Sequence, residues 1–115
     1  MRTVVAKNEN LGCIGRQGEH NAVLVMFPVA DLLPEAEQKE YTLLIRPDGD
    51  PEPYTPGLVK LSATENYLCW IPTLEDTITP GNRTAEIRAT AGNKKQLSAP
   101  YRFSISESIE YAGNG

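Results

Sequence analysis

Gly15-Arg16-Gln17-Gly18-Glu19-His20-Asn21, followed by Ala22-Val23-Leu24-Val25-Met26-Phe27-Pro28-Val29, is the stretch on which the fold reading turns. Glycines bracket Arg16 and Gln17, and both are expected at positive φ, which a tight reversal needs and glycine adopts at little steric cost. The run that follows is apolar on both faces if extended. Ala22, Leu24 and Met26 lie on one side, Val23, Val25 and Phe27 on the other. A strand of that kind belongs in the middle of a structure, entered here through a glycine-pinned turn. A buried helical segment is apolar all round too, but the β-branched valines, the short length and Pro28 favour a strand.

Working outward, Thr3–Lys7 and Leu11–Ile14 read as short strands around the turn-rich Asn8-Glu9-Asn10. Asp31–Glu40 holds signals for one or two helical turns, with Asp31 as a cap and Pro34 early in the segment. Tyr41–Arg46 alternates, and Pro47–Pro56 is a loop by its four prolines. Leu58–Ser62 and Asn66–Ile71 make a hairpin, with Tyr67, Cys69 and Ile71 expected inward. Leu74–Pro80 crosses over to a Pro80-Gly81-Asn82 turn. Arg83–Ala91 places Ala85, Ile87 and Ala89 on one face, Gly92-Asn93 reverses the chain, and Gln96–Ser106 returns with Tyr101, Phe103 and Ile105 inward. Trp70 is the largest candidate core anchor. About eight strands and at most one short helix, near residues 31–40, predict an all-β fold: an immunoglobulin-like antiparallel β-sandwich. It forms one domain over residues 1–111, with 112–115 as a frayed tail.

The chain has 115 residues, 40% hydrophobic and 23% charged, which suits one ordinary globular domain. Its net charge of −4 argues against a general nucleic-acid binder. No apolar run approaches the ~18 residues of a membrane span. Lys7 and Asn8 cut short any signal-peptide core, so a cytosolic origin is expected. Cys13 and Cys69 are too few and too far apart for a zinc knuckle or redox pair, and are expected as reduced, buried thiols. Charge is uneven: residues 31–52 carry seven acids against Lys39 and Arg46, whereas residues 83–102 carry five cations against Glu86. Two solvated faces account for this; complementary docking patches are the sharper reading.

Motifs for chemistry are weak. His20 is the sole histidine, sits in a polar turn, and has no Gly-x-Ser-x-Gly elbow to serve. Gly12, Gly15 and Gly18 lack the spacing and the following helix of a phosphate loop. Asp48-Gly49-Asp50-Pro51-Glu52 lacks the ligand periodicity of a calcium loop. Asn82-Arg83-Thr84 has the pattern of a glycosylation acceptor but reads more simply as a turn leading into a strand. No catalytic, cofactor-binding or metal-binding residue is expected. Tyr67-Leu68-Cys69 looks like an immunoglobulin tyrosine corner, with Cys13 upstream. Trp70, however, follows the second cysteine instead of lying between the two, so the architecture is accepted and the disulfide is not.

Taken in order, Gly15-Arg16-Gln17-Gly18-Glu19, the apolar strand, Tyr41–Arg46 with Pro47-Asp48-Gly49-Asp50-Pro51-Glu52-Pro53-Tyr54, then Cys69-Trp70-Ile71-Pro72, Pro80-Gly81-Asn82-Arg83 and Tyr101–Ile109 form a set. The set resembles the small β-domain at the N-terminus of phage and prophage tail or baseplate proteins of Gram-positive bacteria. It is similar to the N-terminal domain of the siphophage upper baseplate protein. The resemblance implies a non-enzymatic adaptor that docks a distal element onto the tail hub. It implies other tail or baseplate proteins, or further copies of the chain, as partners. It also implies a path from bacterial cytoplasm to virion tail, with no cofactor. Family members usually continue into stalk or fibre parts, whereas this chain stops at Gly115, so a free-standing or truncated version is expected. Glu52, Pro53 and Tyr54 on the stiff loop are the candidate partner contacts. A module that binds glycan or host surface, using Tyr54 as an aromatic platform, is the alternative.

Overall fold

The computed structural model describes residues 1–112. In chain order they form β1 (Arg2–Val5), β2 (Asn10–Arg16), β3 (Val23–Pro28), β4 (Glu40–Pro47), β5 (Val59–Leu61), β6 (Tyr67–Trp70), a helical turn α1 (Leu74–Thr77), β7 (Gly81–Ala91), β8 (Lys94–Leu97), β9 (Tyr101–Ser106) and a terminal turn α2 (Ile109–Ala112). One sheet has the order β1-β3-β6-β5. The other has β2-β9-β7-β4, with β8 also pairing β7. The apolar run is thus β3, flanked on both sides by strands. It sends Val23, Val25 and Phe27 into the core and leaves Leu24 and Met26 half-buried on its other face.

β3-β6-β5 facing β4-β7-β9 reproduces the B-E-D against C-F-G layout of immunoglobulin-like sandwiches. The sheets are mixed, where antiparallel ones were expected: β1 runs parallel to β3, and β2 parallel to β9. The N-terminal strands take outer places, one in each sheet, and such long-range pairings leave no local sequence pattern. The immunoglobulin disulfide would join the positions of β3 and β7, but Cys13 lies on β2 and Cys69 on β6. Both are free thiols, and neither is buried as expected: Cys13 is exposed and Cys69 half-exposed. Partial burial pushes the Cys13 thiol up, yet hydrogen bonds with Ser106, Ser104 and the Gly15 and Ser106 backbone outweigh it and leave the group below its ordinary range.

The expected inward face of the hairpin is reversed. Leu68 and Trp70 are buried, and Tyr67, Cys69 and Ile71 lie on the other face. Pairing with β3 decides it, because Val25 stands opposite Trp70 and Phe27 opposite Leu68. Trp70 then meets Phe103 of the other sheet edge-on at 5.5 Å, and Phe27 meets Tyr101 at 5.1 Å. These pairs tie the two sheets together. No helix forms over 31–40. Leu33 and Gln38 adopt φ of 47° and 52°, which no right-handed helix admits, and Leu33 precedes Pro34, a position that disfavours helical ψ.

The expected return strand Gln96–Ser106 is two strands, making nine among the described residues. Between the Ala85–Tyr101 and Arg88–Leu97 pairs the return side holds one residue more than β7, a bulge at Ser98–Pro100. Ser98 repairs the ladder there: its N–H donates to the Ile87 carbonyl at 2.8 Å, and its hydroxyl accepts the Ile87 N–H at 2.9 Å. The expected frayed tail begins at Ala112, which ends α2, and residues 113–115 lie outside the described residues. No helix among the described residues is long and apolar enough to cross a membrane.

Candidate interaction site

Two separate stretches converge on α1, and a third ties down the segment that leaves it. The first is the Gly15–Glu19 turn. Arg16 N–H donates to the Glu19 carboxylate, and Glu19 N–H to the Arg16 carbonyl at 3.1 Å, so the turn closes on itself. Gly18 takes φ of +89°, as its place in a reversal requires. Gly15 does not: it lies in β2 with ordinary φ, so only one of the two glycines carries the reversal. The turn then reaches outward. Gly18 N–H donates to the Thr77 carbonyl at 3.3 Å, the Gln17 amide to the Ile78 carbonyl at 2.9 Å, and the Thr77 hydroxyl to the Glu19 carbonyl at 2.6 Å. Gln17 N–H also donates to the Ser106 carbonyl at 2.7 Å, stitching the turn to the end of β9.

The second stretch is the proline loop. Tyr54 exchanges two backbone hydrogen bonds with Ile45 of β4, at 2.9 and 2.8 Å. Its hydroxyl donates to Asp76 of α1 at 2.8 Å, and its half-buried ring packs on the core. Burial, then the hydrogen bond and charge of Asp76, push the Tyr54 phenol far above its ordinary value, while Arg83 pulls the other way. Tyr54 is therefore a strut inside its own domain, and of Glu52, Pro53 and Tyr54 only the first two stand exposed. The third stretch is Arg83, 5% exposed, which donates to the Gly81 carbonyl at 3.1 Å and to the Thr79 carbonyl.

The sequence reading missed this buried polar cluster of Asp76, Thr77 and Arg83. Signals for it exist. Thr73-x-x-Asp76 has capping-box spacing, and the Asp76 carboxylate accepts the Thr73 N–H at 2.8 Å and the Thr73 hydroxyl at 3.1 Å. Arg83 occupies the same alternating face as Ala85, Ile87 and Ala89.

α1 turns Asp76 and Thr77 in and leaves Leu74 outside beside the exposed Glu75. Leu74 is 44% exposed and Ile78, its C-cap, 42%. Ile109 is 93% exposed, and its neighbour Ser108 donates its N–H to the same Gln17 side chain that bonds Ile78, at 3.5 Å. One end of the sandwich thus carries an apolar trio held by the Gly15–Glu19 turn. The acidic and basic segments meet where β4 pairs with β7. Of the seven acids, however, only Glu40 is on β4, paired with Thr90, while Thr42 pairs with Arg88; the other six acids lie on the loops before and after β4. Among the described residues no group of three or more His, Cys, Asp or Glu is placed to hold a metal ion, and His20 is exposed. Compared with known proteins, the chain matches no family model and no curated protein.

Proposed function

We propose that this chain is a non-enzymatic docking module of a phage or prophage tail tip, joining a distal element to the tail hub. The observation that carries docking is the inverted polarity of α1, with Asp76 and Thr77 buried while Leu74 and Ile78 face solvent beside Ile109. A helical turn exposed at the end of a sandwich ordinarily shows the opposite pattern, and clustered exposed apolar side chains mark interaction sites. Glu75 and Glu107, both exposed, adjoin the trio in sequence and supply a polar, acidic rim. The tail assignment rests on the sequence resemblance over residues 11–109. The inward-turned Tyr54 hydroxyl leaves a glycan-binding reading without its aromatic platform.

Co-expression with the tail-hub and fibre proteins encoded beside this chain tests the reading. Specific co-purification with one of them, lost in a Leu74→Asp/Ile78→Asp variant that still melts like wild type, is the expected result. No co-purification, together with saturable binding to purified cell-wall glycan, would move the protein to the other class.

A further inference from the structure

The two outer faces of the sandwich differ in kind. On one sheet the outward positions are polar: Thr84, Glu86, Arg88 and Thr90 follow one another on β7, and Arg102 and Ser104 on β9. The β1-β3-β6-β5 sheet breaks that pattern. Its inward side is filled by residues such as Val25 and Trp70, yet its outward positions are apolar as well. Leu24 and Met26 stand there on β3, and on β6 Cys69 lies opposite Met26 and Tyr67 opposite Pro28. β1 adds Val5 beside Met26. The hydrogen bond from Ile71 N–H to the Leu58 carbonyl extends the face by one more apolar pair.

None of these outward side chains is packed against the core, and the other sheet lies on the opposite side of theirs. A sheet with one face in water ordinarily alternates apolar-in and polar-out, and a second apolar face marks an interaction surface. Lys60, opposite Cys69, is the only charge at the registered outward positions, so the face holds little to select an oppositely charged partner. It matches an equally flat and uncharged surface, which a second copy supplies. Four strands ~4.8 Å apart and six residues at ~3.3 Å each give a face of roughly 19 by 20 Å, on the order of 400 Å² in projection. That is small for a permanent dimer and fits a reversible one.

We propose that two copies of this chain pair face to face through the β1-β3-β6-β5 sheet. The two-fold axis runs along the strands between β3 and β6, so that β3 of each copy stacks on β6 of the other. This puts the two Lys60 side chains at opposite margins, whereas an axis across the strands would stack β5 on β5 and bring them together. It also superposes the same end of both sheets. Lys7, two residues beyond Val5, then meets the β5–β6 turn of the second copy, where Glu65 is exposed, and the pair forms twice. Other acids near that end face away: Glu9 has crossed to the other sheet, where its carbonyl accepts the Arg102 N–H, and the acidic loop after β3 turns toward β8, where Leu33 N–H donates to Gln96. The inference uses a different face from α1 and does not depend on the tail assignment.

Sedimentation velocity of the full chain from about 1 μM to 1 mM reads the association, and wild type is expected to pass from monomer to dimer within that range. Met26→Glu, which sets a charge in the middle of the face, should leave only monomer, with a melt recorded to show that it folds. The exposed pair supplies a second arm that does not disturb the sheet. Lys7→Glu and Glu65→Lys should each weaken dimerisation about fivefold, since each change acts twice across the axis, and the double swap should restore it. In a Cys13→Ser background, the Cys69 thiol should react more slowly with a maleimide as protein concentration rises. The proposal is overturned by a chain that stays monomeric, by a dimer that persists in folded Met26→Glu, by charge reversals without effect, or by Cys69 reactivity independent of concentration. Monomer throughout, with Cys69 shielded only on adding the tail-hub protein, would give the face to that partner and equally overturn it.

Discussion

The Tyr54 hydroxyl donates a hydrogen bond to the Asp76 carboxylate at 2.8 Å, on a side chain whose sequence position suggests a loop tip. Hydrogen bonds to charged groups are worth roughly 1.5–3 kcal/mol, so Tyr54→Phe is expected to lower stability by about that amount in urea melts. An unchanged midpoint would show that water replaces the phenol at no loss. The pH dependence follows from the same contact. Because the Tyr54 phenol is raised in the folded state, its contribution is fully present below the unfolded value of about 10 and is lost as pH rises beyond it. Tyr101, raised by burial and then by the Glu9 charge, acts in the same direction. Melts above about pH 10 should therefore fall more steeply for wild type than for Tyr54→Phe. At this scale Trp70 was legible as a core side chain, being the largest apolar group on a strand. Tyr54 was not, because its hydrogen-bond partner lies 22 residues away and no local pattern reports it.

Among the elements, strands with clean alternation were legible down to their inward face, whereas β3 and β6, apolar on both faces, were legible as strands but β6 not in which face it turns in. β7 and β9 present Ala85, Ile87, Ala89 and Tyr101, Phe103, Ile105 to the core as their period demands. β6 has apolar residues at every position, so its inward face is chosen by pairing with β3 and by the size of Trp70. The helix signals over 31–40 lost to the Leu33-Pro34 step, whereas α1 formed where Thr73 and Asp76 could cap it. The Gly15–Glu19 turn gives a direct comparison. Gly18 at φ of +89° should lose about 1–2 kcal/mol on substitution by alanine, the usual cost of left-handed backbone for a residue with a Cβ. Gly15→Ala should lose less, since its φ is ordinary and a Cβ there would meet only Glu19 Oε1, at 3.4 Å, an ordinary van der Waals distance. Urea midpoints of the two variants check the order, and a larger loss at Gly15 would place the reversal elsewhere.

For the whole molecule, the Gly15–Glu19 turn and the proline loop both end on α1, and with Asp76 and Thr77 turned in by these contacts Leu74 and Ile78 face out. The apolar end is thus a product of how the fold is tied together. An apolar patch with a polar rim is the kind of surface that supplies affinity. The most direct test is the dissociation constant of the full chain for the tail-hub protein proposed as its partner, compared between wild type and Leu74→Asp/Ile78→Asp by biolayer interferometry, with circular-dichroism melts of both. A loss of about tenfold or more in affinity with unchanged melting is the predicted result. Equal affinity in the two proteins would contradict the account.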